Sequence, residues 1–139
     1  MLRTNLLHPE ILHALGSAGH GSTVLLADGN FPHRTAPSPG APRVYLNLAP
    51  GVVTVTQVLA AVRSVIEVER AAVMLPDDGT RLAVHEEFAR LLDGTPLDAM
   101  GRFEFYDATR TGDLALVVAT ADERVYANLL LTVGVVAPG

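Results

Sequence analysis

Two of the most reactive side chains are missing from this sequence of 139 residues, which has no cysteine and no lysine. Without cysteine it has no thiol nucleophile, no disulfide, no zinc–thiolate site and no cysteine-bound iron–sulfur cluster. Without lysine it has no Schiff-base residue, no anchor for pyridoxal phosphate and no P-loop lysine. The chemistry that remains is acid–base catalysis by His, Asp, Glu and Tyr, or binding alone.

Long apolar runs and an excess of positive charge are also missing. The longest apolar runs, over 114–119 and 133–137, fall far short of the roughly 20 residues that cross a bilayer. The first residues lack the charged and apolar stretch of a signal peptide. The formal net charge is −5, which argues against nucleic-acid binding. We therefore expect a cytoplasmic protein with no membrane or nucleic-acid partner.

Motifs for metals and nucleotides are absent as well. His8 and His13 are five residues apart, a spacing that does not place both on one helix face as a zinc pair requires. Neither Gly-x-Gly-x-x-Gly nor Gly-x-Ser-x-Gly occurs, so no motif supports nucleotide binding or α/β-hydrolase chemistry. We expect no metal and no cofactor.

Apolar residues, 49% of the chain, recur at strand-like and helix-like spacings in turn. The spacings predict helices over 8–18, 55–66 and 82–92, and strands over 23–27, 43–48, 71–75, 102–106, 114–120 and 128–133. This alternation predicts an α/β layered sheet with some parallel pairing. The last three strands follow one another without a long helix, so we expect antiparallel pairing at one side. The apolar content is high for a chain of this size, which also suggests that some apolar surface is buried between subunits.

The first candidate site residues flank the predicted strand over 23–27. His20 lies between two glycines shortly before the strand, and Asp28 follows it directly. Ligands of open α/β sheets bind beyond the carboxyl ends of strands, which is where Asp28 lies. A strand of five residues spans roughly 17 Å, so the two side chains meet only if the turn folds back or if a neighbouring subunit contributes one of them. The alternative is that His20 is a capping residue of a tight turn.

Other polar candidates lie later in the chain. Tyr126 and Asn128, at the start of the last strand, offer a weak acid and an amide, which suit a polyhydroxylated ligand. The alternative is a solvated tyrosine followed by a turn asparagine. His33 lies in a proline-rich loop with no clear role, and His85 is expected to be exposed on its helix.

The predicted strand that begins at Arg102 alternates polar and aromatic residues. Phe103 and Phe105 share one face and are expected in the core. The other face carries Arg102, Glu104 and Tyr106. That face is either a solvated sheet edge or the wall of a polar pocket.

Several segments, taken in order along the chain, resemble the motifs of one protein family. They are Gly19-His20-Gly21, Leu26-Ala27-Asp28-Gly29-Asn30-Phe31-Pro32, Ala72-Val73-Met74, Arg102-Phe103-Glu104-Phe105-Tyr106, Val117-Val118-Ala119-Thr120, Glu123, Tyr126-Ala127-Asn128-Leu129 and Gly134-Val135. The ordered set is similar to the ribose pyranase / fucose mutarotase family of sugar mutarotases, and closer to its fucose mutarotase branch. The chain departs from the family pattern in lacking an acid near Pro50 and in a longer segment near Gly112, so the sugar is left open.

The resemblance implies a cofactor-independent isomerase. Such a mutarotase interconverts the anomers, or the pyranose and furanose forms, of L-fucose or a related monosaccharide by acid–base ring opening and closure. The implied fold is a single domain over 1–139, a three-layer α/β/α sandwich with a mixed, largely parallel central sheet. Members of the family are cytoplasmic homo-oligomers, pentamers or decamers, with sugar sites between subunits.

The resemblance also assigns site residues by their matching motif positions: His20, Tyr126 and Asp28 to catalysis, and Asn128, Arg102 and Glu123 to substrate binding. His20 and Tyr126 would transfer protons, while Asp28 would orient His20 or bind sugar hydroxyls. Two alternatives stay open. One is a non-catalytic monosaccharide-binding protein accessory to sugar transport or regulation, and the other is an assembly module whose His and Tyr are structural.

Overall fold

Four helices and six strands make up the fold. The computed structural model describes all 139 residues. In chain order the elements are α1 (Pro9–Ser17), β1 (Thr23–Ala27), β2 (Arg43–Tyr45), α2 (Val55–Arg63), β3 (Val68–Met74), α3 (Ala83–Leu92), β4 (Leu97–Met100), α4 (Arg102–Ala108), β5 (Leu114–Ala119) and β6 (Leu129–Val133). None of the helices has the length and apolar character needed to span a membrane.

The six strands form one sheet in the order β2-β5-β1-β6-β3-β4. The pairs β1–β5, β2–β5 and β3–β4 are parallel, whereas β6 is antiparallel to both β1 and β3. The predicted mixed, largely parallel sheet is therefore confirmed. The antiparallel pairing is not at one side, as predicted, because β6 lies in the middle of the sheet. Its residues 129–131 are all buried leucines, as a strand covered on both faces requires.

Helices cover both faces of the sheet, which confirms the predicted three-layer α/β/α arrangement. On one face α1, α2 and α3 pack against Val24 and Leu26 of β1 in a cluster of 23 buried apolar residues. On the other face α4 and the loop over 28–42 pack against Leu25 in a second cluster. Successive β1 side chains thus point to opposite layers, as the pleat of a strand dictates.

The three predicted helices are present, and each is one to three residues shorter than predicted. α1 follows His8, whose Nδ1 accepts a hydrogen bond from the N–H of Ile11, and Pro9 occupies its first position. α2 follows Thr54, which forms a reciprocal capping box with Gln57. Side-chain caps of this kind fix where these two helices start.

The segment that begins at Arg102 is helix α4, so the strand predicted over 102–106 is wrong. The strand in this region is β4, which comes just before it and pairs in parallel with β3. Phe105 of α4 is fully buried, but Phe103 is 74% exposed, against the prediction that both lie in the core. Alternation over five residues fits a strand as well as a short helix. Here the segment is a helix that packs against the sheet.

The proline-rich loop over 28–42 is fixed to the sheet at β2, which ends at Tyr45 and not at the predicted residue 48. The guanidinium of Arg43 donates hydrogen bonds of 2.6–3.2 Å to four carbonyl oxygens of the loop, those of His33, Pro37, Ser38 and Ala41. One cation thus satisfies backbone acceptors that would otherwise lack partners, and the loop is held across the second face of the sheet.

Candidate functional site

A cavity of about 320 Å³ lies where β1 ends and β6 begins. Four of the predicted site residues line it: Asp28, Arg102, Tyr126 and Asn128. The rest of its lining consists of Asn30, Phe31, Tyr106 and Val125. The cavity is thus beyond the carboxyl end of β1, where open α/β sheets bind their ligands.

Asp28 is the buried carboxylate of this cavity, with only 3% of the residue exposed. Its Oδ1 accepts hydrogen bonds from the backbone N–H groups of Asn30 and Phe31, each 2.9 Å long. Burial raises the pKa of Asp28, and the two N–H donors oppose the rise. Hydroxyl groups of a ligand that donate to the ionised carboxylate would therefore be held strongly.

Asn128 joins the two strand ends that form the cavity. Its Oδ1 accepts a hydrogen bond of 2.8 Å from the backbone N–H of Asp28, and the residue is buried. An amide that accepts through its oxygen still has two N–H donors to offer. Asn128 therefore fixes the position of Asp28 and brings donor groups to the same cavity.

Tyr126 lies in a turn with φ of +60°, a left-handed conformation that residues other than glycine seldom adopt. Its carbonyl oxygen accepts a hydrogen bond of 3.0 Å from Nε2–H of His85, whose Nδ1 accepts the N–H of Leu82. His85 is fully buried, so the prediction that it is exposed is wrong. Burial lowers the pKa of His85, which favours the neutral ring that these two bonds need.

A second network, of hydrogen bonds to Asp122 and Arg124, anchors the loop that carries Tyr126. The buried carboxylate of Asp122 accepts the N–H of Val55 at the start of α2 and two hydrogen bonds from Arg124, at 2.9 and 2.7 Å. Arg124 also donates to Glu87 of α3 and to Thr56 of α2. Burial opposes ionisation of Asp122, but the hydrogen bonds from Arg124 and Val55 outweigh it and lower its pKa. The loop that carries Tyr126 is thus anchored to two helices.

Aromatic rings form one side of the cavity. The ring of Phe31 meets that of Tyr106 edge-on, with centroids 5.5 Å apart, and that of buried Phe105 at 6.2 Å. His33 lies beside Phe31 and donates from Nε2–H to the carbonyl oxygen of Asp28, at 2.6 Å. Burial lowers the pKa of His33, so this ring is neutral at neutral pH. The cavity thus combines polar groups on one side with a fixed apolar surface on the other.

Glu123 does not line this cavity. It is exposed and lines a neighbouring cavity of about 460 Å³, which shares only Asn30 with the first. Pro50 lies in the lining of that second cavity as well. Within one chain, Glu123 is therefore apart from the other residues assigned to substrate binding.

His20 lies at the opposite end of β1 from Asp28. β1 alone spans roughly 17 Å, so His20 and the cavity are separate within one chain. The His20 side chain is 60% exposed, and its Nε2 lies 2.9 Å from Oε2 of Glu69. The structure brings together four of the six predicted site residues and leaves His20 and Glu123 outside.

Sequence reasoning missed several residues around the cavity. Tyr106 is not one of them, since it shares the predicted polar face with Arg102, and the helix keeps the two together because residues four apart share a face. Asn30 and Phe31 follow Asp28 so closely that a turn at Asp28 would have placed them there. His85 carried no usable signal, since its partner Tyr126 is 41 residues away.

The chain is similar to known proteins over almost its whole length. A family model described as the RbsD / FucU transport protein family matches residues 1–136. A D-ribose pyranase of Paracidovorax citrulli is 35% identical over 97% of this chain and 98% of its own length. The fucose mutarotase of Homo sapiens is 34% identical over 95% of this chain and 91% of its own. These are names of sugar isomerases, so the predicted family and enzyme class are confirmed, whereas the closer likeness to the fucose branch stays a prediction.

Solved structures agree with the sequence relatives. The FucU structure from Bifidobacterium longum is 26% identical and superposes with a TM-score of 0.81, over 96% of this chain and all of that one. Bacillus subtilis RbsD complexed with D-ribose gives a TM-score of 0.86 at 21% identity, over 99% of this chain and all of that one, which shows the same fold. With the family match spanning almost its whole length, this chain belongs to the RbsD / FucU family of sugar pyranases and mutarotases.

Proposed function

We propose that this chain is a monosaccharide mutarotase that exchanges the anomers or ring forms of a sugar by general acid–base catalysis. The observation that carries the proposal is the cavity shared by Asp28, Arg102, Tyr126 and Asn128. The relatives named D-ribose pyranase and fucose mutarotase support the same reaction class. L-Fucose and D-ribose are therefore the first substrates to test.

Mutarotation moves protons and no other group. The anomeric hydroxyl loses a proton while the ring oxygen gains one, the C1–O5 bond breaks, the carbonyl face turns, and the ring closes again. The reaction needs one acid and one base within hydrogen-bond reach of that unit. Tyr126 is the proton-transfer group that we assign inside the cavity, and His20 is its counterpart.

The remaining groups suit a sugar. The cavity, at about 320 Å³, is near the lower end of the range of about 300–1,000 Å³ for small-molecule sites. Asp28 would accept from sugar hydroxyls, and Asn128 and Arg102 would donate to them. The Tyr106 and Phe31 rings offer an apolar surface to the C–H face of a pyranose.

His20 would reach the cavity from a neighbouring copy of the chain. Within one chain it is at the far end of β1, so a complete acid–base pair requires two chains. Exposed apolar residues near the cavity, Val125 in its lining and Phe103 in α4, would be covered by such a neighbour. This is the reason for proposing a homo-oligomer with sites between subunits, and the family resemblance implies that it is a pentamer or decamer.

One observation favours the alternative of a non-catalytic monosaccharide-binding protein. The cavity of a single chain has groups that bind hydroxyls but no histidine. In that case the protein would bind sugar without speeding its anomer exchange. The two functions differ in one measurement, the exchange rate.

The test is exchange NMR or saturation transfer on L-fucose and on D-ribose, with and without the protein. We expect faster anomer exchange with at least one sugar, and a fall of about 100-fold or more in His20→Ala. His13→Ala, an exposed histidine on α1, is the matched control and should keep the wild-type rate. Binding without acceleration by the wild-type protein would instead favour the sugar-binding alternative.

A mixing experiment tests whether two chains share one site. His20→Ala and Tyr126→Phe should each be inactive alone. When they are co-expressed and mix freely, about a quarter of the sites regain both native residues, and activity returns in proportion. Mixed oligomers as inactive as either variant alone would refute a site between subunits.

A further inference from the structure

The turn that carries His20 is fixed in place although its imidazole is exposed. The N–H of Gly21 donates a hydrogen bond of 3.0 Å to the carbonyl oxygen of Val133. The N–H of Val133 donates one of 2.9 Å to the carbonyl oxygen of Ser22. Gly21 has φ of +85°, which only glycine adopts easily. The end of β6 therefore holds the His20 turn beside β3.

Glu69 of β3 meets His20 there. Its Oε2 lies 2.9 Å from Nε2 of the imidazole. An ionised carboxylate only accepts hydrogen bonds, so Nε2 carries the hydrogen and Nδ1 is the nitrogen left for a substrate. The contact thus selects one tautomer of His20 and fixes the plane of its ring.

A β-bulge directs Glu69 toward this contact. On the β3–β6 ladder Val68 pairs with Val133 and Arg70 pairs with Thr132, so Glu69 is an extra residue between two consecutive partners. Bulges re-aim a side chain and occur often beside active sites. Without the bulge, the side chain at this position would follow the ordinary alternation of the strand.

Gly134 provides the space that the bulge requires. A Cβ atom at Gly134 would lie 3.1 Å from Cβ of Glu69 and 3.3 Å from its backbone nitrogen. The N–H of Gly134 donates to the carbonyl oxygen of Glu67, which holds the two strand ends together. A larger residue would press on Cβ and the backbone nitrogen of Glu69, which would have to shift by a few tenths of an ångström.

The neighbouring charged residues do not compete with the imidazole of His20 for the carboxylate of Glu69. The nearest cation on the strand, Arg70, is paired with Asp98 of β4 at 2.8 Å. The one polar contact of the Glu69 side chain is with His20. The bulge with its neighbouring Gly134 and the separate pairing of Arg70 are two features that favour the same contact.

We propose that Glu69 is a positioning residue for His20, holding the Nε2–H tautomer so that Nδ1 faces the sugar bound by a neighbouring chain. This proposal rests on the proposed mutarotase function. In the ring-opening step Nδ1 takes the proton of the anomeric hydroxyl, the ring oxygen receives a proton from Tyr126, and the C1–O5 electron pair goes to the ring oxygen as the carbonyl forms. Glu69 then stabilises the charge on the imidazolium until the proton is returned.

The kinetic test compares Glu69→Ala and Glu69→Asp with Glu67→Gln, an exposed glutamate two residues away that serves as the matched control. In Glu69→Ala we expect kcat for anomer exchange to fall about 10-fold while KM changes less than about twofold, because binding of the sugar is untouched. Glu69→Asp should restore part of the rate. Glu67→Gln should match the wild type.

An NMR measurement separates this proposal from the proposed function. Nitrogen-15 spectra of the histidine rings report the tautomer of His20 without any sugar, and we expect Nε2–H in the wild type and in Glu67→Gln but a mixture in Glu69→Ala. An Nδ1–H tautomer in the wild type, or wild-type kcat in Glu69→Ala, would overturn the role of Glu69. A wild type that accelerates no sugar refutes the mutarotase function. The tautomer of His20, measured without sugar, then still tests whether Glu69 holds the imidazole.

Discussion

Replacing His85 with alanine is the sharpest test of how the cavity loop is held. His85 is fully buried and bridges two backbone groups, the N–H of Leu82 at 3.1 Å and the carbonyl of Tyr126 at 3.0 Å. The first bond caps α3, and the second holds the left-handed turn that carries the Tyr126 side chain. The substitution removes both at once.

The expected loss follows from these contacts. Each of the two backbone groups left without its partner costs about 1 kcal/mol, at the low end of the range for a buried polar group. Deleting a buried ring adds about 2 kcal/mol for the space left beside Phe88, which the His85 ring contacts at 6.5 Å between centroids. We expect the free energy of unfolding to fall by about 4 kcal/mol at pH 7.5, a large part of the roughly 5–15 kcal/mol of a typical domain.

The same residue predicts a pH dependence. Burial lowers the pKa of His85 in the folded protein below its value of about 6.5 in the unfolded chain. The unfolded chain therefore takes up the proton first, so this contribution to stability is present above about pH 6.5 and is lost as the pH falls toward the folded-state pKa. His33, whose pKa burial also lowers, adds a dependence of the same sign.

Urea unfolding between pH 7.5 and 5.5 measures both effects. His85→Gln keeps an N–H donor for Tyr126 but does not titrate, so it should lose about 1 kcal/mol at pH 7.5 and show a flatter pH dependence than the wild type. His13→Ala, exposed on α1, should change stability by less than about 0.5 kcal/mol. A loss below about 1 kcal/mol in His85→Ala, or an unchanged pH slope in His85→Gln, would contradict the bridge described above.

Two further substitutions test the electrostatics of the cavity. Burial raises the pKa of Asp28, so its contribution to stability falls as the pH rises from the unfolded-state pKa of about 3.8 through the folded-state pKa, and the ionised form destabilises the fold at pH 7. Asp28→Asn should therefore unfold at a higher temperature at pH 7 while its anomer exchange falls about 10- to 100-fold, and a lower melting temperature would refute this reasoning. Arg124→Met leaves the buried Asp122 carboxylate without its cation and should cost about 2–3 kcal/mol in urea unfolding, whereas Arg90→Met, which lacks such a partner, should cost less than about 0.5 kcal/mol.

Local chemistry explains what could be predicted from the sequence. The strand over 23–27 was predicted with its observed bounds, because a threonine and four apolar residues between a glycine turn and an aspartate leave few alternatives. Asp28 was placed correctly at a strand end for the same reason. Asn128 lies in the same cavity because the strand that follows it, β6, pairs with β1. The motif resemblance assigned Asn128 to the site, whereas periodicity did not.

Features that depend on distant partners could not be predicted in this way. The strand assignment at Arg102 failed because alternating aromatic and polar residues satisfy two periods over so short a segment. His85 was predicted as exposed because acidic neighbours suggested a solvated face, whereas its buried environment comes from Tyr126 on another element. The central place of β6 likewise depends on long-range pairing with β1 and β3.

The two halves of the proposed site are prepared by different parts of the fold. Bonds within one chain fix the cavity, since His85 holds the Tyr126 turn and Asn128 holds Asp28. Other bonds within the chain fix the His20 turn, with Glu69 on its bulge and Gly134 beside it. β1 separates the two halves by roughly 17 Å, so one chain contains both halves but cannot bring them into contact with each other. Under the proposed function, assembly of several copies then brings the two halves together.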